Sequence, residues 1–242
     1  MNKLTILTKY IEYMDGNHLL EGFMAWDDTV KIKKPGILVG HAWAGRSEFE
    51  CKKAIELAAI GYVGFAFDIY GKGTRGKNRT ENAALMKPFL INRELLQRRV
   101  LLALDVLSAQ AQVDSNKMAT IGYCFGGLAS LDMARCGADI LGAVSLHGNL
   151  SSPSNTNGNK INAKILVLHG WKDPTVLPED VVSFAKEMSA MSADWQLHAF
   201  GDAVHGFAKT GTNDPDHGML YDEISDQRSW NSMRLFLTEI FS

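Results

Sequence analysis

The chain has 242 residues, which is enough for one α/β domain with a full core or at most two small domains. Hydrophobic residues make up 46% of the chain and charged residues 21%, which are ordinary values for a globular protein. The formal net charge of −2 gives no reason to expect a nucleic acid or an anionic membrane as a partner. No apolar run approaches the roughly 18 residues that span a bilayer.

Cysteine usage points to a reducing compartment. The chain has three cysteines, Cys51, Cys124 and Cys136, and no C-x-x-C pair. This odd number predicts neither a disulfide framework nor a zinc site. Residues 1–10 alternate like a strand and lack the long apolar segment of a signal peptide. We therefore expect a cytoplasmic protein without a metal.

Hydrophobic patterns predict alternating strands and helices along the chain. In the first half these are strands 4–13 and 18–26, which form a hairpin around Asp15-Gly16-Asn17, strand 36–40, helix 47–60, strand 62–69 and one long amphipathic segment at 81–109 with helical spacing. In the second half they are strand 118–121, a helix from 128, strands 141–146 and 163–168 on either side of a surface loop at 151–160, helix 178–191, strand 195–200 and helix 224–241. This alternation predicts an α/β fold with a mostly parallel sheet of about eight strands, covered by helices on both faces.

The residues Gly122-Tyr123-Cys124-Phe125-Gly126-Gly127 fit the pattern G-x-nucleophile-x-G, with cysteine in the central position. A predicted strand precedes them and a predicted helix follows, which is the context of a nucleophile elbow. Glycines let the strand and the helix approach closely while the nucleophile stands clear. The helix N-terminus favours a thiolate at Cys124, which is the predicted nucleophile.

Two later loops supply an acid and a base. Asp173 follows strand 163–168, and His205 follows strand 195–200. The chain order of nucleophile, acid and base is that of α/β hydrolases. In such a set His205 takes the thiol proton, Asp173 orients the imidazole, and Cys124 attacks an acyl carbon.

An oxyanion requires hydrogen-bond donors. The amide of Phe125, one residue after the nucleophile, is the first predicted donor, and a loop amide after strand 36–40 is the second. We assign that second amide to Trp43, with His41 as a substrate-binding neighbour. The alternative is a packed loop with a core histidine. His147 and His169 end predicted buried strands, and we expect hydrogen-bonded residues of the core or of the pocket wall.

Together with Phe67-Asp68-Ile69-Tyr70-Gly71 and His205-Gly206-Phe207, these motifs resemble the dienelactone hydrolase family over roughly residues 5–240. The resemblance implies a single α/β-hydrolase domain over residues 1–242, without a large cap. It also implies a Cys-His-Asp triad that acts on esters or lactones of the carboxymethylenebutenolidase class, without a cofactor.

The chain departs from the family pattern at two places. Ala42 stands where the family carries a glutamate that holds the resting thiol, so we expect Cys124 to pair directly with His205. Of two arginines that bind the substrate carboxylate in the family, one corresponds to Lys209. The other has no clear match, and Arg79 is the nearest cation.

The sequence thus predicts a hydrolase of a small-molecule ester or lactone, acting as a monomer or homodimer. Two alternatives stay open. One is a carboxylesterase or thioesterase of broad specificity, and the other is a non-catalytic binding module with the same fold.

Overall fold

The computed structural model describes residues 4–156 and 159–242. Residues 157–158 of the predicted loop at 151–160, and residues 1–3 of the predicted N-terminal alternation, lie outside the described residues. The chain divides into two compact units, one ending at Thr120 and the other running from Ile121 to Ser242. The prediction of a single domain stays a prediction, and the two units are taken separately below.

Eight strands form the main sheet. They are β1 (Ile6–Asp15), β2 (His18–Asp27), β3 (Lys34–Gly40), β4 (Val63–Ala66), β5 (Val113–Tyr123), β6 (Gly142–Leu146), β7 (Lys164–Gly170) and β8 (Trp195–Phe200). Their order in the sheet is β1-β2-β4-β3-β5-β6-β7-β8. The pairs β1/β2 and β2/β4 are antiparallel, whereas β3/β4, β6/β7 and β7/β8 are parallel. The prediction of a mostly parallel sheet of about eight strands is confirmed.

In the first unit, the hairpin turn is tighter than predicted. Asp15 pairs directly with His18, so only Gly16 and Asn17 form the turn. Gly16 has a φ of 58°, a conformation that glycine adopts without steric cost.

The long predicted segment of the first unit consists of two helices. After α1 (Glu48–Ala59), the chain forms α2 (Arg79–Ile91) and α3 (Arg93–Ser108), which meet at Asn92. The Asn92 side chain accepts a hydrogen bond from the amide of Leu95 at 3.0 Å, and this bond starts α3. The hydrophobic spacing continues across the break, so periodicity alone did not reveal it.

In the second unit, β6 and β7 run almost wholly buried beside α4 (Phe125–Arg135), which is buried along its length. The helices α5 (Pro178–Ala190) and α6 (Glu223–Phe241) match their predictions to within a residue or two. A short pair, β9 (Asn213–Asp214) and β10 (Met219–Leu220), was not predicted, because two-residue strands carry no pattern. Within residues 4–156 and 159–242, no helix has the length and apolarity needed to cross a membrane.

Candidate active site

Cys124 lies at a strained turn between β5 and α4. Its φ of 56° and ψ of −117° are rare for a residue with a side chain. Its amide donates to the carbonyl of Leu146 at 3.0 Å, and its own carbonyl accepts from the amide of Gly127 at 3.0 Å. These bonds hold the strained residue in place.

The glycines beside Cys124 are required by close backbone packing. A Cβ at Gly122 would lie 1.9 Å from the carbonyl oxygen of Gly126. A Cβ at Gly127 would lie 2.5 Å from Oγ of Ser145 and 3.0 Å from Cα of Gly148. Cβ atoms in proteins do not come that close to other atoms, so positions 122 and 127 both require glycine, as the motif predicted.

The side chains of Cys124, His205 and Asp173 form one hydrogen-bonded row. His205 Nε2 lies 3.1 Å from Cys124 Sγ, and His205 Nδ1 lies 2.8 Å from Asp173 Oδ2. Asp173 and His205 are buried, with exposed fractions of 2% and 7%. The row therefore has the geometry in which a carboxylate orients an imidazole that faces a thiol.

Charges in this row stabilise one another. Burial alone would lower the pKa of His205. The negative charge of Cys124 and the hydrogen bond to Asp173 outweigh burial and raise this pKa to about 10. Burial likewise raises the pKa of Asp173, yet the bond and charge of His205 bring it below its ordinary value. These shifts favour a carboxylate at Asp173 and an imidazolium at His205 at neutral pH, and the imidazolium favours a thiolate at Cys124.

Thr175 is a residue of this site that the sequence reasoning missed. Its amide and its hydroxyl both donate to Asp173 Oδ1, at 2.8 and 2.7 Å, and the hydroxyl lies 3.2 Å from His205 Nδ1. These bonds leave the other oxygen, Oδ2, facing His205. The signal was the order Asp-Pro-Thr, since an aspartate commonly bonds the backbone two residues later.

The loop of His205 is held by segments on both sides. The amides of Trp171 and Lys172, in the loop of Asp173, donate to the carbonyls of Phe200 and Ala203, so the acid and base loops are joined. The amide of His205 donates to Gly218, and the carbonyl of His205 accepts from Leu220 of β10. The unpredicted β9/β10 pair thus fixes the backbone of the base.

Lys209 lies four residues after His205, in a turn where its amide donates to the carbonyl of Gly206 at 3.0 Å. It is half-buried. Its positive charge is among the causes that lower the pKa of His147, a buried residue in ring contact with His205. The charge of Lys209 therefore contributes to the electrostatic potential close to His205.

The predicted residues Trp43, His41 and Arg79 lie in the first unit. Trp43 is half-buried, its carbonyl accepts from the hydroxyl of Tyr70 at 3.0 Å, and the Arg79 guanidinium lies 5.3 Å from the centre of its ring. The part of Trp43 as an oxyanion donor stays a prediction, as does that of the Phe125 amide at the start of α4.

His41 is fully buried, and both ring nitrogens bond to nearby backbone. Nδ1 donates to the carbonyl of Ala42 at 2.8 Å, and Nε2 accepts from the amide of Ile69 at 3.2 Å. These bonds match the core-histidine alternative and join the two loops that follow β3 and β4.

A buried carboxylate lies beside Ala42, although residue 42 itself has none. Glu50 of α1 accepts from the Ala42 amide through Oε1 at 3.3 Å, and through Oε2 from the amide and hydroxyl of Ser47. The spacing Ser47-x-x-Glu50 is a capping box that the sequence displays. The Glu50 carboxylate thus links the loop at Ala42 to the N-terminus of α1 by hydrogen bonds.

A model of the dienelactone hydrolase family matches residues 20–241 of the chain. The chain belongs to this family. The resemblance inferred from the motifs is thereby confirmed, and so is the prediction of a hydrolase that acts on ester bonds. The fold is that of the α/β hydrolases.

Similar proteins agree with this assignment over nearly the whole chain. A solved structure named m3DLH is 31% identical, with a TM-score of 0.94 over 98% of this chain and 99% of that one. A dienelactone hydrolase-like promiscuous phosphotriesterase from metagenomic libraries is 30% identical, with a TM-score of 0.92 over 97% and 98%. A probable 2-oxo-3-(5-oxofuran-2-ylidene)propanoate lactonase from Bradyrhizobium sp is 26% identical, over 86% of this chain and 85% of its own.

The three cysteines should differ sharply in reactivity. Burial raises the pKa of Cys51, and Cys136 Sγ donates to the carbonyl of Asp132 at 2.8 Å, so both favour the thiol. Iodoacetamide should therefore alkylate Cys124 first, and that rate should change little between about pH 7 and pH 9, because we expect Cys124 to be a thiolate over this range. Peptide mass spectrometry at several pH values measures each rate.

The control for this experiment is His205→Gln, which removes the imidazolium and should slow alkylation of Cys124. A wild-type Cys124 whose rate follows an ordinary thiol with a pKa of ~8.5 would contradict the ion pair.

Proposed function

We propose that the chain hydrolyses an ester or lactone bond of a small molecule through Cys124, His205 and Asp173, by way of an acyl-enzyme. The observation that supports this best is the hydrogen-bonded row at 3.1 and 2.8 Å. Membership of the dienelactone hydrolase family supports the same reaction class.

The reaction follows from the charges in the row. The Cys124 thiolate attacks the acyl carbon, and the amide of Phe125 donates to the oxyanion that forms. The His205 imidazolium gives its proton to the leaving oxygen, so a thioester to Cys124 is left with a neutral imidazole. That imidazole then takes a proton from water, which attacks the thioester and releases the acid. Asp173 keeps Nδ1–H of His205 in place throughout.

Two substrate ranges are distinguished by comparing activities. A lactonase, in line with the Bradyrhizobium relative, favours unsaturated lactones. A carboxylesterase or thioesterase of broad specificity also accepts p-nitrophenyl esters and thioesters. A phosphotriester belongs in the same panel, because a solved relative at 30% identity is a promiscuous phosphotriesterase. A binding module without catalysis would hydrolyse none of these compounds.

Cys124→Ala should abolish hydrolysis of every substrate that the wild type accepts, by at least about 10³-fold, because no other group in the row is a nucleophile. Cys124→Ser should be strongly impaired too, because an alkoxide is far harder to form than a thiolate. Cys51→Ala and Cys136→Ala are the matched controls and should retain activity. Initial rates and circular dichroism on all four variants make the comparison, and an active, folded Cys124→Ala chain would disprove the mechanism.

We also propose that Lys209 attracts an anionic group of the substrate. An ammonium is a point charge, so it should strengthen binding of a carboxylate without fixing its orientation as an arginine pair would. Arg79, on the ring of Trp43, is the second candidate cation.

Lys209→Ala should raise KM for esters that carry a free carboxylate and leave neutral esters nearly unchanged. Lys186→Ala, an exposed lysine of α5, is the matched control and should change neither. Steady-state kinetics on paired charged and neutral esters decide the matter. Equal KM changes for both kinds of ester, or no change in either, would mean that Lys209 does not bind an anionic group of the substrate.

A further inference from the structure

His147 is the most unusual buried residue outside the row of Cys124, His205 and Asp173. It directly follows β6, is 1% exposed, and has a φ of 40°. It is a core residue as expected, but neither ring nitrogen has a hydrogen-bond partner among the described residues. Burying an imidazole in this way costs free energy that an apolar side chain of similar size would not.

The contacts of the His147 ring explain why an imidazole stands there. Its ring centre lies 5.1 Å from that of His205, with an angle of 72° between the planes. Phe207 and Tyr123 enclose the ring on other sides, at 5.5 and 6.0 Å. Of the three rings it contacts, only His205 carries a charge.

The electrostatic surroundings keep His147 neutral. Burial lowers its pKa well below the ordinary value, and the charges of His205 and Lys209 lower it further, against the opposing effect of Asp173. His169, at the end of the neighbouring strand, is held neutral in the same way, by burial and then by His205. The groups around His205 are therefore two anions, Asp173 and Cys124, two neutral imidazoles and the ammonium of Lys209.

A neutral imidazole attracts a cation through the π cloud on its face or through the lone pair of its one unprotonated nitrogen. Both ring nitrogens of His205 are already engaged, by Asp173 and Cys124. An edge-to-face neighbour can then stabilise the imidazolium without competing for those bonds.

We propose that His147 is a positioning residue for the reaction, whose neutral buried ring stabilises the protonated form of His205 opposite Cys124. The proposal rests on the proposed function, since it concerns the same ion pair. It accounts for a polar ring without hydrogen-bond partners, because the favourable contact is with a charge.

The test replaces His147 by leucine, which fills a similar volume and removes both the nitrogen lone pair and the π cloud. In a Cys51→Ser, Cys136→Ser background, the ultraviolet absorbance of the one remaining thiolate is followed against pH. His147→Leu should move the midpoint of thiolate formation up by about half a pH unit. Below that midpoint kcat/KM should fall about threefold with KM unchanged.

A midpoint that stays in place would overturn the proposal and leave His147 as a space-filling residue. His198→Leu is the matched control, since His198 is a half-buried histidine of β8 bonded to Ser232. It should leave the midpoint unchanged, and an equal shift in this control would overturn the proposal as well.

The absorbance is read without substrate, so it stays informative if the proposed hydrolysis fails on every ester. An ordinary thiol midpoint in the wild type would instead count against the ion pair itself.

Should His147→Leu fail to fold, a ¹⁵N nuclear magnetic resonance titration of the wild type replaces it. Near pH 6.5, the ordinary pKa of histidine, His147 should be neutral while His205 is protonated. A protonated His147 would overturn the proposal.

Discussion

The close approach of backbone segments at Cys124 is the constraint on which the site depends. A residue with a side chain sits at a φ of 56°, and glycine is needed at positions 122 and 127 because neighbouring backbone and side-chain atoms leave no room for a Cβ. Strain of this kind persists only where the surroundings enforce it. Here the bond from the Cys124 amide to Leu146 and the packing of Gly148 against Gly127 enforce it.

This packing has an electrostatic consequence. It sets the thiol at the start of α4 and 3.1 Å from Nε2 of His205, where a negative charge on Cys124 raises the pKa of His205. Asp173, fixed by Thr175, completes the row from the far side. A neutral thiol beside a neutral imidazole would lose the mutual attraction that offsets burial of both groups. The proposed mechanism therefore uses a thiol that the fold already holds beside a protonatable imidazole.

The sequence alone predicted the elements and residues that follow strong local patterns. The buried strands β6 and β7 and the order of Cys124, Asp173 and His205 were all readable, because runs of apolar residues and short motifs specify them. The break at Asn92 was not predicted, because the apolar spacing runs through it. The β9/β10 pair was missed because two-residue strands carry no pattern, and Thr175 was missed although the order Asp-Pro-Thr is a local signal.

Contacts between residues that are distant in sequence also explain why the surroundings of the histidines were not predicted. His41 was proposed to bind substrate, and its two backbone bonds reach residues 42 and 69, which no local pattern relates. Similarly, the carboxylate beside Ala42 comes from Glu50, in the first turn of α1. The charge balance around His205 likewise involves residues from several loops, so the sequence could name a candidate nucleophile but not its electrostatic environment.

The most direct test of the account is to identify the covalent intermediate. The wild type is mixed rapidly with a p-nitrophenyl ester, quenched in acid before the steady state, and mapped by peptide mass spectrometry. The account predicts an acyl group on the peptide that contains Cys124, and on no other. An acyl group on another residue would contradict it, and so would undiminished turnover by a chain whose Cys124 is fully blocked with iodoacetamide.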